Sequence, residues 1–235
     1  MSEIKENPPE MPLGKSIYVY QLPIRIWHWV MVICVCVLIV TGYIIGKPWL
    51  SVAGTSAYDT FYMGYTRMAH FIAGFVLIIS TVLRYIYGLV WGNRYSRELI
   101  ILPVWRKTWW NELWHDIRWY LFLDKEPRAY IGHNPLAQAG MAVGMVFMLV
   151  IMLTGLGMYA ESSHQAFFRP FLFVLDFAYW IGGNDQELRS LHRLGMLLLV
   201  TFVTVHIYMV IREEIMGKTT LVSGMFSGYR ERRKP

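Results

Sequence analysis

Four of the seven histidines lie within long apolar segments, and their type and position suggest chemistry. They are His28, His70, His192 and His206. Ionisable side chains are rare inside membrane spans and usually face the interior of the helix bundle, so each is a candidate functional residue. A neutral imidazole offers one ring nitrogen to a metal ion. The set therefore indicates metal ligation, against the alternative that each histidine only makes a structural hydrogen bond.

The spacing of two of these histidines predicts two separate sites. Fourteen residues separate His192 from His206. At about 100° and about 1.5 Å per helical residue, the two side chains return to nearly the same face, about 21 Å apart along the axis. One helix would then present two inward ligands, one near each surface of a bilayer.

The segments that carry these histidines are long enough to cross a membrane. A hydrocarbon core of about 30 Å requires roughly 20 helical residues. The segments that meet this length are 26–45, 68–90, 136–159 and 191–211. With 55% apolar residues in the chain, they predict an all-α integral membrane protein. We expect one domain over residues 1–235, folded as a four-transmembrane-helix bundle.

Two further segments have the composition of interfacial amphipathic helices. The segment 98–123 contains five tryptophans among interspersed charges, which favours a helix at the level of the lipid headgroups. The segment 166–181 is apolar and aromatic but is interrupted by Arg169, Pro170 and Asp176. It is therefore predicted to be a short interfacial helix and not a fifth span.

The basic residues are distributed unequally outside the predicted spans. Three precede the first span, seven lie in 91–135 and six follow from residue 212 onward, whereas the other two loops hold two each. The positive-inside rule then predicts that both termini and the long central loop are cytoplasmic. The net charge of +6 is thus explained by membrane topology, and nucleic-acid binding is not expected.

This orientation pairs the four histidines by depth. His28 and His206 lie near the cytoplasmic side, and His70 and His192 lie near the outer side. Two histidines from facing helices fill both axial positions of a haem iron, which leaves no position for oxygen or substrate and suits one-electron transfer. The sequence therefore predicts two haem b groups. An alternative is that only one of them is stably held.

The two cysteines limit the other cofactors. Cys34 and Cys36 both lie within the first apolar segment, where they can pack as small hydrophobic residues. They form no CxxC or CxxCH motif, so neither an iron–sulfur cluster nor covalent c-type haem attachment is encoded. Any haem is therefore held noncovalently.

Several other residues are candidates for contact with cofactors. Close approach of a macrocycle to a helix needs small residues, and the glycines on ligand-bearing helices are Gly42, Gly74 and Gly195. Arginines within a turn of a predicted ligand are candidates for the haem propionates, although snorkelling to the interface is an equal alternative. These are Arg25, Arg67 and Arg193.

Three histidines lie outside the spans. His133, in the GHNP sequence before the third span, lies at cytoplasmic depth and is a candidate for a quinone site. Loop structure or helix capping around Asn134 and Pro135 is the favoured alternative for it. His115 and His164 are predicted to be ordinary surface histidines.

Several sequence motifs distributed along the chain resemble one known family. They include PIRIWHW at 23–29, TGYIIGKP at 41–48, WGNRYSRE at 91–98, GHNPLAQ at 132–138, LTGLGMY at 153–159 and HRLGM at 192–196. In these motifs the chain resembles the b-type cytochrome subunit of membrane-bound nickel-iron uptake hydrogenases. The resemblance extends from about residue 18 to residue 229.

This resemblance implies a place in an electron-transfer complex of a bacterial cytoplasmic (inner) membrane. The partner would be the iron–sulfur small subunit of the hydrogenase, which receives electrons from the nickel-iron large subunit on the outer face. The His70–His192 haem would be proximal to it, the His28–His206 haem distal, and a membrane quinone the acceptor. The chain itself would not activate hydrogen.

Two other functions remain open at this point. The cytochrome subunit of respiratory formate dehydrogenases has a similar four-helix design, including two ligands fourteen residues apart on its last helix. A haem-free membrane anchor or small transporter is the alternative from a different class. The spans contain almost no carboxylates that could form a proton relay with the histidines, which argues against the latter.

Overall fold

The computed structural model describes residues 11–48, 61–125, 128, 130–163, 165–182 and 186–232. His164 lies outside these residues. In chain order the elements are β1 (Ile17–Tyr18), α1 (Leu22–Gly46), α2 (Tyr62–Val90), α3 (Arg94–Arg97), α4 (Lys107–Tyr120), α5 (Pro135–Ser163), a 3₁₀ helix (Ala166–Leu172), α6 (Phe173–Gly182), α7 (Gln186–Met216), α8 (Leu221–Ser227) and β2 (Tyr229–Arg230).

In the described part of the chain, four helices are long and apolar enough to cross a membrane: α1, α2, α5 and α7. This confirms the predicted all-α membrane fold. Each helix extends beyond its predicted apolar segment, because backbone hydrogen bonding continues through the polar residues at its ends. For example, α7 begins at Gln186 with Glu187 in its first turn, where a carboxylate interacts favourably with the helix dipole.

The segment between α2 and α5 contains less helix than predicted. The single helix expected over 98–123 is wrong in its bounds, since helical structure is confined to α3 and α4. Pro103 provides no backbone N–H and disfavours helical conformation at the residue before it. The start of α3 is fixed by the Asn93 side chain, which accepts a hydrogen bond from the Ser96 amide at 2.9 Å. Past the end of α4, Phe122 has a positive φ of 63°.

The segment 166–181 is helical, as predicted, but in two pieces. Arg169 and Pro170 lie in the 3₁₀ helix, and α6 follows it. Val174 and Leu175 of α6 are buried together with Leu188 of α7. These contacts attach α6 to the long helices through an apolar cluster.

The described chain forms two compact units. The first comprises Met1–Arg25, Tyr85–Val146 and Thr201–Pro235, and the second comprises Ile26–Arg84 and Phe147–Val200. Each long helix contributes residues to both units. His70 and His192 therefore belong to the same unit.

In the first unit, the two ends of the chain pair with each other. Strands β1 and β2 are antiparallel, with Ile17 opposite Arg230. The turn before β2 is made by Gly228, whose φ of 91° favours glycine. The Gly228 carbonyl accepts hydrogen bonds from the amides of Val19 and Tyr20, at 2.9 and 3.0 Å.

Helix α4 is attached to α7 through Arg212. This side chain is 9% exposed and donates hydrogen bonds to the carbonyls of Tyr120 and Trp119, at 2.6 and 2.8 Å. Its guanidinium also lies 4.5 Å from the centre of the Trp119 ring, a favourable cation–π distance. The carbonyls that end α4 are thereby satisfied by a residue 92 positions away in the sequence.

The tryptophans of this region have two different environments. Trp105, Trp110 and Trp114 are exposed, as expected for an aromatic belt. Trp109 and Trp119 are each only 5% exposed. The Trp109 indole donates a 2.8 Å hydrogen bond to the Gln138 side chain of α5. These two tryptophans therefore hold α4 in place within the first unit.

Candidate haem-binding site

In the second unit, two of the four predicted ligands face each other. His70 of α2 and His192 of α7 have ring centres 6.4 Å apart, with an angle of 67° between the ring planes. They come from two different helices, and both rings are half-buried. The structure thus brings together the pair that the sequence predicted to lie at the outer side.

Each of these two rings is held by a threonine from a neighbouring helix. The Thr41 hydroxyl of α1 lies 2.8 Å from His70 Nδ1, and the Thr154 hydroxyl of α5 lies 2.8 Å from His192 Nδ1. Both contacts use the same ring nitrogen. The His192 ring also forms a hydrogen bond with the backbone of Ile151, three residues before Thr154.

A glycine follows each threonine and makes room for the ring. A Cβ atom at Gly42 would lie 3.2 Å from His70 Cε1, and one at Gly155 would lie 3.3 Å from His192 Cε1. Both distances are shorter than ordinary van der Waals contact. We call each threonine–glycine pair, Thr41–Gly42 and Thr154–Gly155, a histidine seat.

The glycines predicted from the sequence have different roles. Of the three, Gly42 lies against a predicted ligand. Gly195 allows close packing of α7 on α5, since a Cβ there would lie 2.8 Å from Ile151 Cγ1. At Gly74 a Cβ would only reach ordinary contact with Leu38. Gly155 was not among the predicted glycines, although the repeated TG dipeptide at 41–42 and 154–155 could have indicated it.

The other two predicted ligands lie in different units. His28, on α1 in the second unit, has its ring centre 5.2 Å from that of Trp29. His206, on α7 in the first unit, stacks on Phe202 with ring centres 5.9 Å apart and planes 13° apart. Gly144 of α5 leaves the space that the Phe202 ring occupies. The pairing of His28 with His206 stays a prediction.

The arginines proposed for the propionates also differ in their surroundings. Arg25 donates a hydrogen bond to the Phe226 carbonyl. Arg67 is exposed. Arg193 is exposed, and its guanidinium reaches the end of α1, where a Cβ at Gly46 would lie 3.3 Å from its Nη2. Arg193 therefore lies near the second-unit histidine pair and on the same helix as His192.

A fourth arginine, not identified from the sequence, lies inside α2. Arg84 is 6% exposed, and its guanidinium lies 5.5 Å from the centre of the Trp27 ring. A charged residue inside a span is itself a signal of function. Arg84 was not among the basic residues counted for the topology, because it lies within a span and not in a loop or near a chain end. Since Trp27 precedes His28, Arg84 is a further candidate for a propionate contact.

His133 lies in a network of polar groups in the first unit. Its Nδ1 is 3.5 Å from a Glu98 carboxylate oxygen, and its amide donates a 3.0 Å hydrogen bond to the same oxygen. Asn134 begins α5 by accepting a 2.6 Å hydrogen bond from the Ala137 amide, and its side chain donates to Glu213 of α7. The capping that was the alternative for this segment is therefore present. The quinone role of His133 stays a prediction.

His115, predicted to be an ordinary surface residue, is partly exposed. Its side chain is 24% exposed and lies 3.8 Å from a carboxylate oxygen of Asp116. Burial, together with the nearby Arg128 cation, lowers the pKa of His115. The amphipathic helix α4 turns His115 partly inward, which composition alone does not indicate.

Asp116, on the buried face of α4, gives a prediction about pH. Burial raises its pKa from 3.8 to about 7, and the carboxylates of Glu213 and Glu112 add to this increase, although a hydrogen bond from the Leu136 amide opposes it. Between about pH 4 and 7 the folded protein keeps a proton that the unfolded chain loses, so the free energy of unfolding falls as pH rises through this window. The loss is on the order of 4 kcal/mol at most.

We therefore expect Asp116→Asn to be more stable than the wild type at pH 8 and to gain little at pH 4. Thermal unfolding of detergent-purified protein across this pH range measures the difference. An equal gain or loss at every pH would contradict the raised pKa.

Comparison with known proteins identifies the chain. Residues 19–228 match the family described as prokaryotic cytochrome b561. A protein of Escherichia coli (strain K12), named probable Ni/Fe-hydrogenase 1 B-type cytochrome subunit, is 51% identical over 218 residues, which cover 93% of this chain and 92% of that protein. Two further relatives are named probable Ni/Fe-hydrogenase B-type cytochrome subunit, and each is 46% identical to this chain. The match to the protein of Azotobacter vinelandii covers 92% of this chain and 88% of that protein. The match to the protein of Bradyrhizobium diazoefficiens covers 95% of this chain and 90% of that protein.

These matches, with four apolar helices and a facing histidine pair, define the class: a multi-pass membrane cytochrome of the b type. The chain belongs to the prokaryotic cytochrome b561 family, among the relatives named Ni/Fe-hydrogenase B-type cytochrome subunits. The resemblance noted in the sequence motifs is thereby confirmed. A cytochrome of this type carries haem b.

The residues around His70 and His192 fit a haem group. The ring centres of His70 and His192 are 6.4 Å apart, which leaves room for a metal bound to both imidazoles, since a metal–imidazole nitrogen bond is about 2 Å long. Among the described residues no group of three or more His, Cys, Asp or Glu side chains could hold a bare ion. Haem iron needs only two axial ligands from the protein, which this pair supplies.

Proposed function

We propose that the chain binds two haem b groups and transfers electrons through the membrane. His70 and His192 would hold one haem, and His28 and His206 the other. The observation that carries the proposal is the facing pair in the second unit, where two imidazoles on separate helices are each held at Nδ1 by a threonine. Bound haem with two axial histidines supplies one-electron oxidation and reduction.

The protein's own residues make the electron transfer selective. His70 and His192 would both bind the haem iron, which would leave no site on it for oxygen or other small ligands. The residues around a metal site control its solvent access and thereby affect its reduction potential. Arg193 and Arg84 are the cations whose positions suit the propionates of the two haems.

The second haem site is supported by the geometry of α7. His192 and His206 lie on one continuous helix, about 21 Å apart along its axis. One helix would thus contribute a ligand to each haem, at two depths of the bilayer. His28, on α1, is proposed as the second ligand of the haem at His206.

We propose a Ni/Fe hydrogenase as the partner, because the relatives are named as subunits of that enzyme. The chain would anchor the enzyme in a bacterial cytoplasmic membrane with both termini inside, as the distribution of Lys and Arg indicates. Electrons would pass from the iron–sulfur small subunit to the haem at His70 and His192 and then to the haem at His28 and His206. A quinone near His133 would accept them.

The proposal is tested on full-length protein purified in detergent, by reduced-minus-oxidised visible spectra and pyridine-haem quantitation. The wild type is expected to contain about two haem b per chain, and His192→Ala and His206→Ala are each expected to lose a different one. His115→Ala is the matched control, because His115 lies outside the spans, and it should keep both haems.

Other results would contradict the proposal. Protein without any haem would favour the haem-free anchor, and His192→Ala with an unchanged spectrum would exclude the ligand assignment. Copurification with a nickel-containing enzyme supports the hydrogenase partner. A molybdenum-containing partner would instead indicate a formate dehydrogenase.

A further inference from the structure

We propose that Thr41 and Thr154 are positioning residues that fix the ring tautomer of the haem ligands His70 and His192. Each threonine would accept a hydrogen bond from Nδ1–H and so leave Nε2 unprotonated as the ligand atom. The inference rests on the proposed haem site between the two histidines. It assigns a role to the two histidine seats.

The hydroxyl hydrogens of Thr41 and Thr154 both point to the backbone of their own helices. Thr41 Oγ1 lies 2.6 Å from the carbonyl oxygen of Val37, four residues earlier in α1. A carbonyl oxygen has no hydrogen, so a contact this short requires that the hydroxyl donates. In α5, Thr154 Oγ1 lies 2.7 Å from the Val150 carbonyl in the same way. Both hydroxyl hydrogens are therefore committed to the backbone.

The position of these hydroxyl hydrogens determines which nitrogen of each histidine ring is protonated. A hydroxyl has a single hydrogen and can still accept a hydrogen bond. With that hydrogen directed to the backbone, the 2.8 Å contacts from Thr41 to His70 and from Thr154 to His192 require a hydrogen on each Nδ1. A neutral imidazole protonated at Nδ1 is unprotonated at Nε2. The geometry thus selects the tautomer that can bind iron through Nε2.

The hydrogen bond at Nδ1 would also affect a metal bound at Nε2. A ligand histidine that donates its other N–H to a fixed acceptor is oriented by that bond and becomes a stronger electron donor. Stronger donation stabilises ferric over ferrous haem, so the threonine bonds should lower the reduction potential. A hydroxyl acceptor achieves this without placing a carboxylate charge inside the membrane, which would be costly.

The arrangement occurs twice, which argues against a chance contact. Helix α1 provides the seat for a ligand from α2, and α5 provides the seat for a ligand from α7. In both, the threonine bonds the backbone four residues earlier and the next residue is a glycine beneath the ring. Two seats with the same atoms in the same roles suggest one requirement, the orientation of an axial ligand.

The test uses full-length protein with bound haem and the variants Thr41→Val, Thr154→Val and Thr154→Ser. Valine keeps the shape but removes the acceptor, whereas serine keeps the hydroxyl. Thr66→Val is the control, because Thr66 of α2 also bonds the backbone four residues earlier, at 2.9 Å from the Tyr62 carbonyl. In the described part of the chain it forms no hydrogen bond with either histidine. The readouts are redox titration of the visible spectrum, electron paramagnetic resonance of the ferric haem, and haem retention.

Thr41→Val and Thr154→Val are each expected to raise the reduction potential of one haem and to change its ferric resonance. Each is also expected to weaken haem retention by about 10-fold or more. Thr154→Ser and Thr66→Val should match the wild type. If Thr154→Val does not accumulate, Thr41→Val tests the equivalent seat. Unchanged potential and resonance in both valine variants would overturn this inference. Loss of haem in His192→Ala would still support the proposed function, so the two failures are distinguishable.

Discussion

If the proposed function is correct, replacing Gly155 with leucine is expected to eliminate the proposed haem at His70 and His192 while the second proposed haem remains. Even a single Cβ atom at this position would lie 3.3 Å from His192 Cε1. A branched side chain cannot fit there unless the imidazole moves, and a displaced ring no longer faces His70. Because the interior is closely packed, the strain is not relieved by a small local shift. We expect loss of about half of the haem b absorbance.

The matched control for this change is Gly140→Leu. Gly140 also lies in α5, and a Cβ there would meet no atom within 4 Å. The control adds the same side chain to the same helix, so it should retain both haems. Pyridine-haem quantitation and low-temperature spectra of purified protein provide the measurement. Full haem content in Gly155→Leu would show that the ring does not need this space.

The second large effect is expected at Arg230, in strand β2. This side chain is 1% exposed, lies 3.6 Å from a Glu213 carboxylate oxygen and donates hydrogen bonds to the carbonyls of Ile131 and Gly132. Arg230→Met would leave the Glu213 carboxylate, whose side chain is 16% exposed, without this cation. Removing one partner of a buried ion pair costs about 3–5 kcal/mol. The free energy of unfolding should fall by that amount.

A second substitution, at Glu213, separates the effect of losing the ion pair from the effect of losing the Arg230 hydrogen bonds. In Arg230→Met combined with Glu213→Gln no unpaired carboxylate remains, so part of the stability should return. Arg118→Ala is the surface control, since its ion pair with Asp124 is exposed and should contribute about 0–1 kcal/mol. Thermal unfolding in detergent ranks the variants. A double variant no more stable than Arg230→Met would show that the carbonyl hydrogen bonds, and not the ion pair, dominate.

The membrane helices and the facing histidine pair could be predicted from sequence because their signals are local or periodic. Apolar length alone located α1, α2, α5 and α7. Depth then paired His70 with His192, and the structure places them face to face. In contrast, the helix expected over 98–123 was too long, since composition suggested an amphipathic helix and Pro103 was not given weight.

The histidine seats could not be predicted in this way. Thr41 and His70 are 29 residues apart, and Thr154 and His192 are 38 apart. Such contacts depend on how the helices are rotated against each other, which periodicity does not specify. A threonine within a span commonly bonds its own backbone, so that bond alone does not distinguish Thr41 from Thr66. The glycine that follows Thr41 is a local difference, but only the geometry around the ring shows what it is for.

The pairing of β1 with β2 has a consequence for the order in which the protein is assembled during synthesis. Ile17 leaves the ribosome long before its partner Arg230. The first unit therefore cannot close until Arg230 has also emerged. The second unit needs no residue beyond Val200, so its two seated histidines can meet earlier. A chain that stops before residue 228 would keep the His70–His192 pair but could not form the pairing of β1 with β2.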